Sequence, residues 1–371
     1  MSIERFTQVT LVLAIVTLIV GLSACDQIQQ VLLPPQPEMP SEMEAPVIPI
    51  GVVVDLTGAN STGYGIPMKK GFELARDHIN SSGLLGDAKL KLIVKDDQSS
   101  RETTVDVVDQ LINQYGLSVI TGFAVSSQLE MVTQTAQDNE VVLFSSVSSA
   151  PVLAGRGNFT FRAGLNSAVL NPPLVVATHE KFGYQTAATI YLHGDTYSRL
   201  SDEAFRAALV ENGVQVVTTE AYPAGDYEAA ITRIVELNPD ALFISALTSD
   251  ISEIMKKARE LMPSVHLIVP ELTDIEVAAS AGDASEGTVT SIGWFSETDT
   301  PGSAAFIQSY TEANNGGEAG CLVGTIVCHT PDSCRGNCGG VCRDALHRCN
   351  RNSGRAGRYH GFPHCFREFL F

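Results

Sequence analysis

Residues 50 to 97 carry the pattern that most constrains the fold of this chain. An apolar segment from Ile50 to Asp55 has the composition of a buried strand, and a loop rich in glycine and small polar residues follows it as far as Gly65. Apolar residues then recur at helical spacing from Pro67, and a second strand pattern runs from Leu90 to Val94. Short apolar strands that alternate with amphipathic helices predict parallel sheets with helices on both faces.

The alternation continues as far as Val269. Further helices are predicted at 103–115, 126–139, 166–182, 199–212, 230–237 and 252–262. Further strands are predicted at 119–120, 141–144, 187–191, 214–218, 241–244 and 267–269. One sheet does not comfortably hold so many strands, so the sequence predicts an α/β protein with two lobes.

Composition narrows the function. The chain has 371 residues, 44% of them hydrophobic and 18% charged, which is typical of a globular protein with a sizeable core. Its formal net charge of −18 argues against nucleic acid as a partner, because phosphate binding needs clustered Lys and Arg. Enzyme motifs are lacking. The Gly58–Gly63 spacing is followed by Tyr64 instead of Lys, so it is not a P-loop, and His179–Glu180 lacks the second His of a zincin.

The N-terminus has the pattern of an export signal. Arg5 provides a positive charge, Val9 to Val20 form a short apolar segment, and Leu22 to Cys25 match the lipobox of bacterial lipoproteins. A membrane-spanning helix is the alternative, but a span needs about 20 apolar residues. We therefore expect a signal peptide over 1–24 and lipid on Cys25. Asp26 resembles a signal for retention in the inner membrane.

The order of elements between residues 48 and 315 closely resembles the branched-chain amino-acid-binding (Leu/Ile/Val) receptors of bacterial ABC importers. The resemblance implies the type I periplasmic-binding-protein fold, in which each lobe is a mostly parallel sheet flanked by helices and the ligand lies in the cleft. The composition of residues 25–48, with lipid expected on Cys25, predicts a Pro-rich tether. The resemblance implies lobe 1 over 49–163, lobe 2 over 164–291 and a return to lobe 1 over 292–316. The first crossing is placed near Phe161–Gly164 and the second near Ser291–Trp294.

Two loops of the first lobe are candidate ligand sites. Ser126 and Ser127 follow a strand and open a helix, where free N–H groups and hydroxyls favour a carboxylate. The alternative is that Ser126 only caps the helix. In the second loop, the resemblance implies that Ser149 donates to the ligand carboxylate and that the Val147 carbonyl accepts from the ammonium. The alternative there is a solvated serine-rich turn.

The resemblance also implies two ligand contacts from the second lobe. Tyr197 stands where the family has an aromatic side chain that closes over the ligand, although Ser198 replaces the usual glycine after it. Glu271 stands where the family has the acid that pairs with the ligand ammonium; the alternative is an exposed loop residue. Tyr64 is a candidate pocket wall from the first lobe. Leu247 or Thr248 stands where some relatives have an aromatic, so the side-chain preference stays open.

The segment from about residue 317 to 371 differs from everything before it. Seven of the eight cysteines and four of the eight histidines lie after residue 320, together with seven arginines and no lysine. A disulfide-stapled cap and a zinc cluster built on Cys334, Cys338, Cys342 and His347 are two interpretations, but the spacing fits no standard zinc module. Out-of-frame translation after about Gly316 explains the abrupt composition better, so we expect a truncated or frameshifted C-terminus.

The expectation is therefore a substrate-binding protein that closes on an amino acid of the branched-chain type or a related amide, with no catalysis, metal or cofactor. Its expected partners are the small-molecule ligand and the permease subunits of an ABC importer. Its expected location is periplasmic or otherwise extracytoplasmic, where lipid on Cys25 anchors the protein to the bacterial cell membrane. The alternative function is a ligand sensor of the same fold with no role in transport.

Overall fold

Two five-stranded parallel sheets form the framework of the protein. A computed structural model describes residues 45–153, 155–272, 280–294 and 302–316. All strand pairings in these residues are parallel. In each sheet the second strand along the chain lies on one side of the first, and the other three lie on the opposite side. This confirms the predicted α/β class with two parallel-sheet lobes flanked by helices.

The first sheet has the strand order β2-β1-β3-β4-β5. Its strands are β1 (Val47–Val54), β2 (Lys89–Asp96), β3 (Val119–Gly122), β4 (Val142–Ser145) and β5 (Thr160–Arg162). The helices between them are α1 (Ile66–Ser82), α2 (Arg101–Asn113) and α3 (Ser126–Asp138). A short helical segment, Ser61–Gly65, precedes α1, and Pro151–Leu153 form a 3-10 turn after β4.

The second sheet has the strand order β10-β9-β8-β6-β7. Its strands are β6 (Thr186–Leu192), β7 (Gln215–Tyr222), β8 (Ala241–Ser245), β9 (His266–Pro270) and β10 (Val289–Ser291). Its helices are α4 (Ser167–Phe182), α5 (Thr196–Glu211), α6 (Glu228–Leu237) and α7 (Thr248–Leu261). A 3-10 turn, Gly282–Ser285, precedes β10.

The central strands are apolar because helices cover both of their faces. All five residues of β8 are buried, and apolar residues on both sides of the second sheet form separate buried clusters. After β10 the chain returns to the first lobe. There α8 (Ser303–Ala313) contributes Phe306 and Tyr310 to a buried cluster with Trp294, against which Leu74 of α1 packs.

Two of the helices that begin earlier than the apolar pattern predicts have a capping side chain at their first turn. The sequence predicts a helix from Arg199, but α5 begins at Thr196, where the Asp195 carboxylate accepts from the backbone N–H of Ser198 at 2.8 Å. Likewise α2 begins at Arg101, where Ser100 caps the backbone N–H of Thr103 at 3.2 Å. Each of these helices therefore begins closer to the end of the preceding strand, beside the cleft.

The chain passes from the first sheet to the second between β5 and α4, beside the predicted crossing at Phe161–Gly164. The proposed limits of each lobe stay predictions. Cys25 with its signal segment, and the cysteine-rich residues 317–371, lie outside the described residues. Within the described part of the chain, no helix combines the length and apolar content that a membrane span requires.

Candidate functional site

A small cavity lies where the carboxyl ends of strands from both sheets meet, and it contains six of the seven predicted ligand residues. Its volume is about 40 Å³. It is lined by Tyr64, Ala124, Val125, Ser126, Val147, Ser149, Tyr197, Leu247 and Glu271. These residues come from loops far apart in sequence, and the carboxyl edge of parallel strands is the usual ligand position in such sheets.

Ser126 opens α3 immediately after β3. The helix-capping position is taken by Val125, so Ser126 does not cap the helix as the alternative interpretation supposed. Its hydroxyl instead accepts from the backbone N–H of Ala150 at 3.2 Å and ties together the two serine loops of the first lobe. Ser126 is only 2% exposed. No side chain caps the first-turn N–H groups of α3, and Val125 and Ser126 at its start line the cavity.

Ser149 and Glu271 meet across the cleft. The Ser149 hydroxyl donates to Oε2 of Glu271 at 2.7 Å, which joins the first lobe to the second. Glu271 directly follows β9 and has a φ of 50°, a left-handed conformation that is unusual for a residue with a side chain. Its backbone N–H donates to the Ser291 carbonyl at 2.8 Å, which helps to hold this conformation.

The carboxyl of Glu271 has a raised pKa. Burial raises it from the ordinary value to about 7, while the hydrogen bond from Ser149, the neighbouring Tyr197 hydroxyl and the positive charge of Arg162 act in the opposite direction. Arg162 ends β5, and its Nη1 is buried without a hydrogen-bond partner among the described residues. Sequence reasoning treated its segment only as a crossing between lobes and missed this positive charge near the site. Its position at a strand end was the available signal.

Two tyrosines wall the cavity. Tyr197 lies on α5 of the second lobe, yet it is 8% exposed and belongs to the buried cluster of the first lobe. Its hydroxyl donates to the Pro270 carbonyl at 3.5 Å. Tyr64 lies in the Ser61–Gly65 segment. Burial, and secondarily the charge of Glu271, raises the pKa of both hydroxyls, so both remain hydrogen-bond donors.

The structure places Ser127, the seventh predicted residue, in a second cavity of about 180 Å³. Val125 and Leu247 line both cavities, so the two adjoin. The polar lining of the second cavity is formed by Asn60, Ser99, Arg101, Ser127, Gln128, His193 and Asp195. Sequence reasoning found none of these except Ser127, because they have no common motif.

Further contacts hold the two lobes together. The Arg101 guanidinium donates to the Gly194 carbonyl, and the Thr196 hydroxyl donates to the Glu130 carboxylate. Both bonds run from a helix of the first lobe to the loop or helix that follows β6. Gly63 lies so close to Thr248 that a Cβ at Gly63 would fall 2.6 Å from the threonine Oγ1. The structure therefore has its cleft closed.

A buried pair of carboxyls lies below the loop that carries Tyr64. Asp55 and Asp97 are each 1% exposed. Burial first, and then the charge of Asp97, raises the pKa of Asp55 to about 7; burial raises the pKa of Asp97 to about 6. The Ser99 hydroxyl donates to Asp55 at 3.1 Å and accepts from the Asn60 backbone at 3.0 Å. Ser99 thus links the Asp55 carboxyl to the loop at Asn60.

Two parallel-sheet lobes with a closed polar cleft define the class of solute-binding proteins. The sequence pattern of the family described as periplasmic binding protein matches residues 47–323. This chain belongs to that family. Family membership implies an extracytoplasmic location and a binding protein rather than an enzyme. No group of three or more metal-ligating side chains occurs in residues 45–153, 155–272, 280–294 and 302–316.

Curated relatives are distant. The chain is 24% identical over 277 residues to the leucine-, isoleucine-, valine-, threonine- and alanine-binding protein of Pseudomonas aeruginosa, an alignment that covers 73% of each chain. It is 24% identical over 245 residues to the Leu/Ile/Val-binding protein of Escherichia coli, covering 65% of this chain and 66% of the relative. The chain thus spans about two thirds to three quarters of the length of these relatives.

Solved structures share the fold. A leucine-binding protein from Thermotoga maritima superposes with a TM-score of 0.71 at 20% identity, covering 76% of this chain and 79% of the other. The branched-chain amino-acid transporter substrate-binding protein from Streptococcus pneumoniae, in complex with isoleucine, gives 0.69 at 19% identity, with 76% and 81% covered. A solute-binding protein from Rhodopseudomonas palustris in complex with 3,4-dihydroxybenzoic acid gives 0.67 at 18% identity, with 84% and 82% covered. The fold alone therefore does not identify a ligand.

Proposed function

We propose that this protein captures an α-amino acid, of the branched-chain type or a related amide, and delivers it to the permease of an ABC importer. One observation carries the proposal: a single cavity brings the Glu271 carboxylate of one lobe against the Ser126 and Ser149 hydroxyls of the other. An α-amino acid carries an ammonium and a carboxylate on one carbon. A cavity with an acid on one side and hydroxyl donors on the other complements both groups.

Each lining residue has a role in this proposal. Ser126 and Ser149 donate to the ligand carboxylate, and the Glu271 carboxylate and Val147 carbonyl accept from the ammonium. Tyr197 and Tyr64 cover the ligand. Because Ser127 faces the second cavity, the proposal leaves the ligand carboxylate to the other two serines.

The mechanism is hinge closure. In the closed form, Ser149 and Glu271 satisfy each other at 2.7 Å. A bound amino acid inserts between them, and its two charged groups replace one hydrogen bond by charge-assisted bonds to both lobes. The ligand therefore stabilises the closed form by its differential affinity, and the permease recognises that form. The amino-acid-binding relatives from Pseudomonas aeruginosa and Escherichia coli support this proposal.

We further propose that lipid on Cys25 anchors the protein to the bacterial membrane after the signal segment over 1–24 is removed. The lipobox pattern of Leu22 to Cys25 is the support. Replacement Cys25→Ala is expected to move the protein from the membrane fraction to the soluble fraction. Continued recovery in the membrane fraction would remove the lipid anchor from the proposal.

The ligand site is tested by calorimetry with L-leucine on the wild type and on Glu271→Gln. The substitution keeps the size of the side chain but removes the charge that pairs with the ammonium. We expect affinity to weaken by roughly 1.5–3 kcal/mol, the magnitude of a hydrogen bond to a charged group. Glu236→Gln, an exposed position on α6 of the same lobe, is the matched control and should bind like the wild type. Equal affinity of Glu271→Gln and wild type would exclude Glu271 from the site.

A further inference from the structure

The larger of the two cleft cavities has no role in holding the α-amino and α-carboxylate groups. We call it the polar chamber and define it by Gln128, Asp195, Arg101, Asn60 and Ser127. Its volume is about 180 Å³, against about 40 Å³ for the neighbouring cavity. Val125 and Leu247 form the boundary between the two. A ligand whose α-carbon lies at Glu271 therefore has space for its side chain in this direction.

Two buried side chains in the polar chamber have oxygen atoms without hydrogen-bond partners. Gln128 is 2% exposed and Asp195 is 3% exposed. Among the described residues, neither Oε1 nor Nε2 of Gln128, nor Oδ2 of Asp195, has a hydrogen-bond partner, so both donors and an acceptor are missing here. The other Asp195 oxygen, Oδ1, accepts from the backbone N–H and the hydroxyl of Ser198, each at 2.8 Å. Buried polar atoms are nearly always paired, so free acceptors here indicate a missing donor.

Arg101 and Asp195 carry opposite charges in the polar chamber, whose lining also includes the imidazole of His193. Arg101 contributes one positive charge, and its guanidinium donates across the cleft to the Gly194 carbonyl. Asp195 contributes one negative charge and caps α5. A charged ligand group would face both a like and an opposite charge, whereas a neutral polar group can pair with the free acceptors at little electrostatic cost.

We propose that the polar chamber receives a neutral carboxamide at the end of the ligand side chain. This inference rests on the proposed function, and it selects the amide over the branched aliphatic side chain. The NH₂ of a carboxamide supplies the donor that Asp195 Oδ2 and Gln128 Oε1 lack. An aliphatic side chain of the same shape would bury both oxygens unpaired, and sites built for hydrogen bonding reject such analogues strongly.

The test uses two pairs of nearly isosteric amino acids in calorimetry with the full chain. L-asparagine is compared with L-leucine, and L-glutamine with L-methionine. We expect the carboxamide in at least one pair to bind at least about tenfold more tightly than its apolar partner. Asp195→Asn keeps an oxygen for the helix cap but replaces the free acceptor, and Gln128→Leu removes the other. Each should lower carboxamide affinity at least about tenfold and change the affinity of the apolar partner by less than about threefold.

Asp240→Asn is the matched control, because Asp240 also accepts backbone hydrogen bonds, from Gln185 and Thr186, but lies on the exposed edge of the second lobe. If Gln128→Leu does not fold, Gln128→Met replaces it. Tighter binding of L-leucine and L-methionine than of the carboxamides, or a preference that survives both substitutions, would overturn the inference and leave the proposed function intact. Failure of all four amino acids to bind would overturn the proposed function itself.

Discussion

The Ser149 hydroxyl donates a hydrogen bond to the Glu271 carboxyl across the closed cleft, with 2.7 Å between Oγ and Oε2. Ser149 belongs to the first lobe and Glu271 to the second, so this bond joins the two lobes at the proposed ligand site. This hydrogen bond from a neutral hydroxyl offsets only part of the cost of burying the Glu271 carboxylate. Glu271 remains buried enough for its pKa to be raised to about 7. A bound ammonium would compensate the charge better than a neutral hydroxyl does.

The first prediction concerns pH. Burial in the closed cleft disfavours the Glu271 carboxylate, so the carboxyl holds its proton there up to about pH 7. Binding of an ammonium needs the carboxylate, so below that pKa each binding event must release a proton. We therefore expect amino-acid affinity to fall as the pH is lowered from 8 to 6, by up to about tenfold per unit below the pKa.

Calorimetry at several pH values, in buffers that differ in ionisation enthalpy, measures both the affinity and the released proton. Glu271→Gln has no titratable group at this position and should lose the dependence. A slope of the same size in Glu271→Gln and wild type would mean that another group titrates.

The second prediction concerns the backbone of Glu271. Its φ of 50° lies in the left-handed region, where a side chain is disfavoured and glycine is not. Glu271→Gly should therefore be more stable than Glu271→Ala by about 1 kcal/mol, although neither can bind the ammonium. Urea unfolding of the two variants isolates the conformational contribution, because both lack the carboxylate. Equal stability would indicate that this residue is not strained in the folded protein.

How far the sequence predicts this molecule depends on the kind of feature. The apolar runs of β3 and β8 are enough to predict central strands, because a strand that is buried on both faces is apolar at nearly every position. Helix ends are less predictable because a single capping side chain, such as Asp195, decides them. The family resemblance assigned Ser149 and Glu271 to one ligand site, and the structure has the two side chains in contact.

Other features of the site depend on contacts between distant segments. Gln128 lies on the α3 pattern as an ordinary polar position, and only the closed cleft buries it beside Asp195. Arg162 was part of an expected crossing, and its position near Glu271 follows from the register of β5 on β4. Residue type and spacing do not encode such neighbours. The position of Arg162 at a strand end was the one signal for it, and Gln128 had none.

The third prediction concerns closure of the cleft. Gly63 of the first lobe approaches Thr248 of the second so closely that a Cβ would lie 2.6 Å from Oγ1 and 2.8 Å from the threonine Cβ. Gly63→Ala should therefore penalise the closed form and leave the open form unaffected. The overpacking cost of about 1–3 kcal/mol predicts affinity weaker by roughly five- to a hundredfold, with little change in melting temperature.

Ser81→Ala, at an exposed position on α1 away from both crossings between the lobes, is the control. Affinity and melting temperature of this control should equal those of the wild type. A loss of melting temperature in Gly63→Ala without a loss of affinity would show that the clash acts on the fold and not on closure.

The last prediction concerns the buried carboxyl pair. Burial and the charge of Asp97 raise the pKa of Asp55 to about 7 from an ordinary value of 3.8, so the folded protein binds this proton more tightly than the unfolded chain does. A carboxyl with a raised pKa in the folded state makes stability fall as the pH rises between the two values. Asp55→Asn removes this penalty. Relative to the wild type, its free energy of unfolding should increase from pH 4 to pH 7 by roughly 1–3 kcal/mol and then level off.

Chemical unfolding across that pH range measures the effect, with Asp87→Asn in an exposed turn as the control for a simple change in net charge. The control should follow the wild-type profile at every pH. If Asp55→Asn also runs parallel to the wild type, the Asp55 carboxyl must already be compensated in the folded protein. A cation or an ordered donor at the unpartnered Oδ1 would then have to supply that compensation, and calcium or magnesium added during unfolding would distinguish between them.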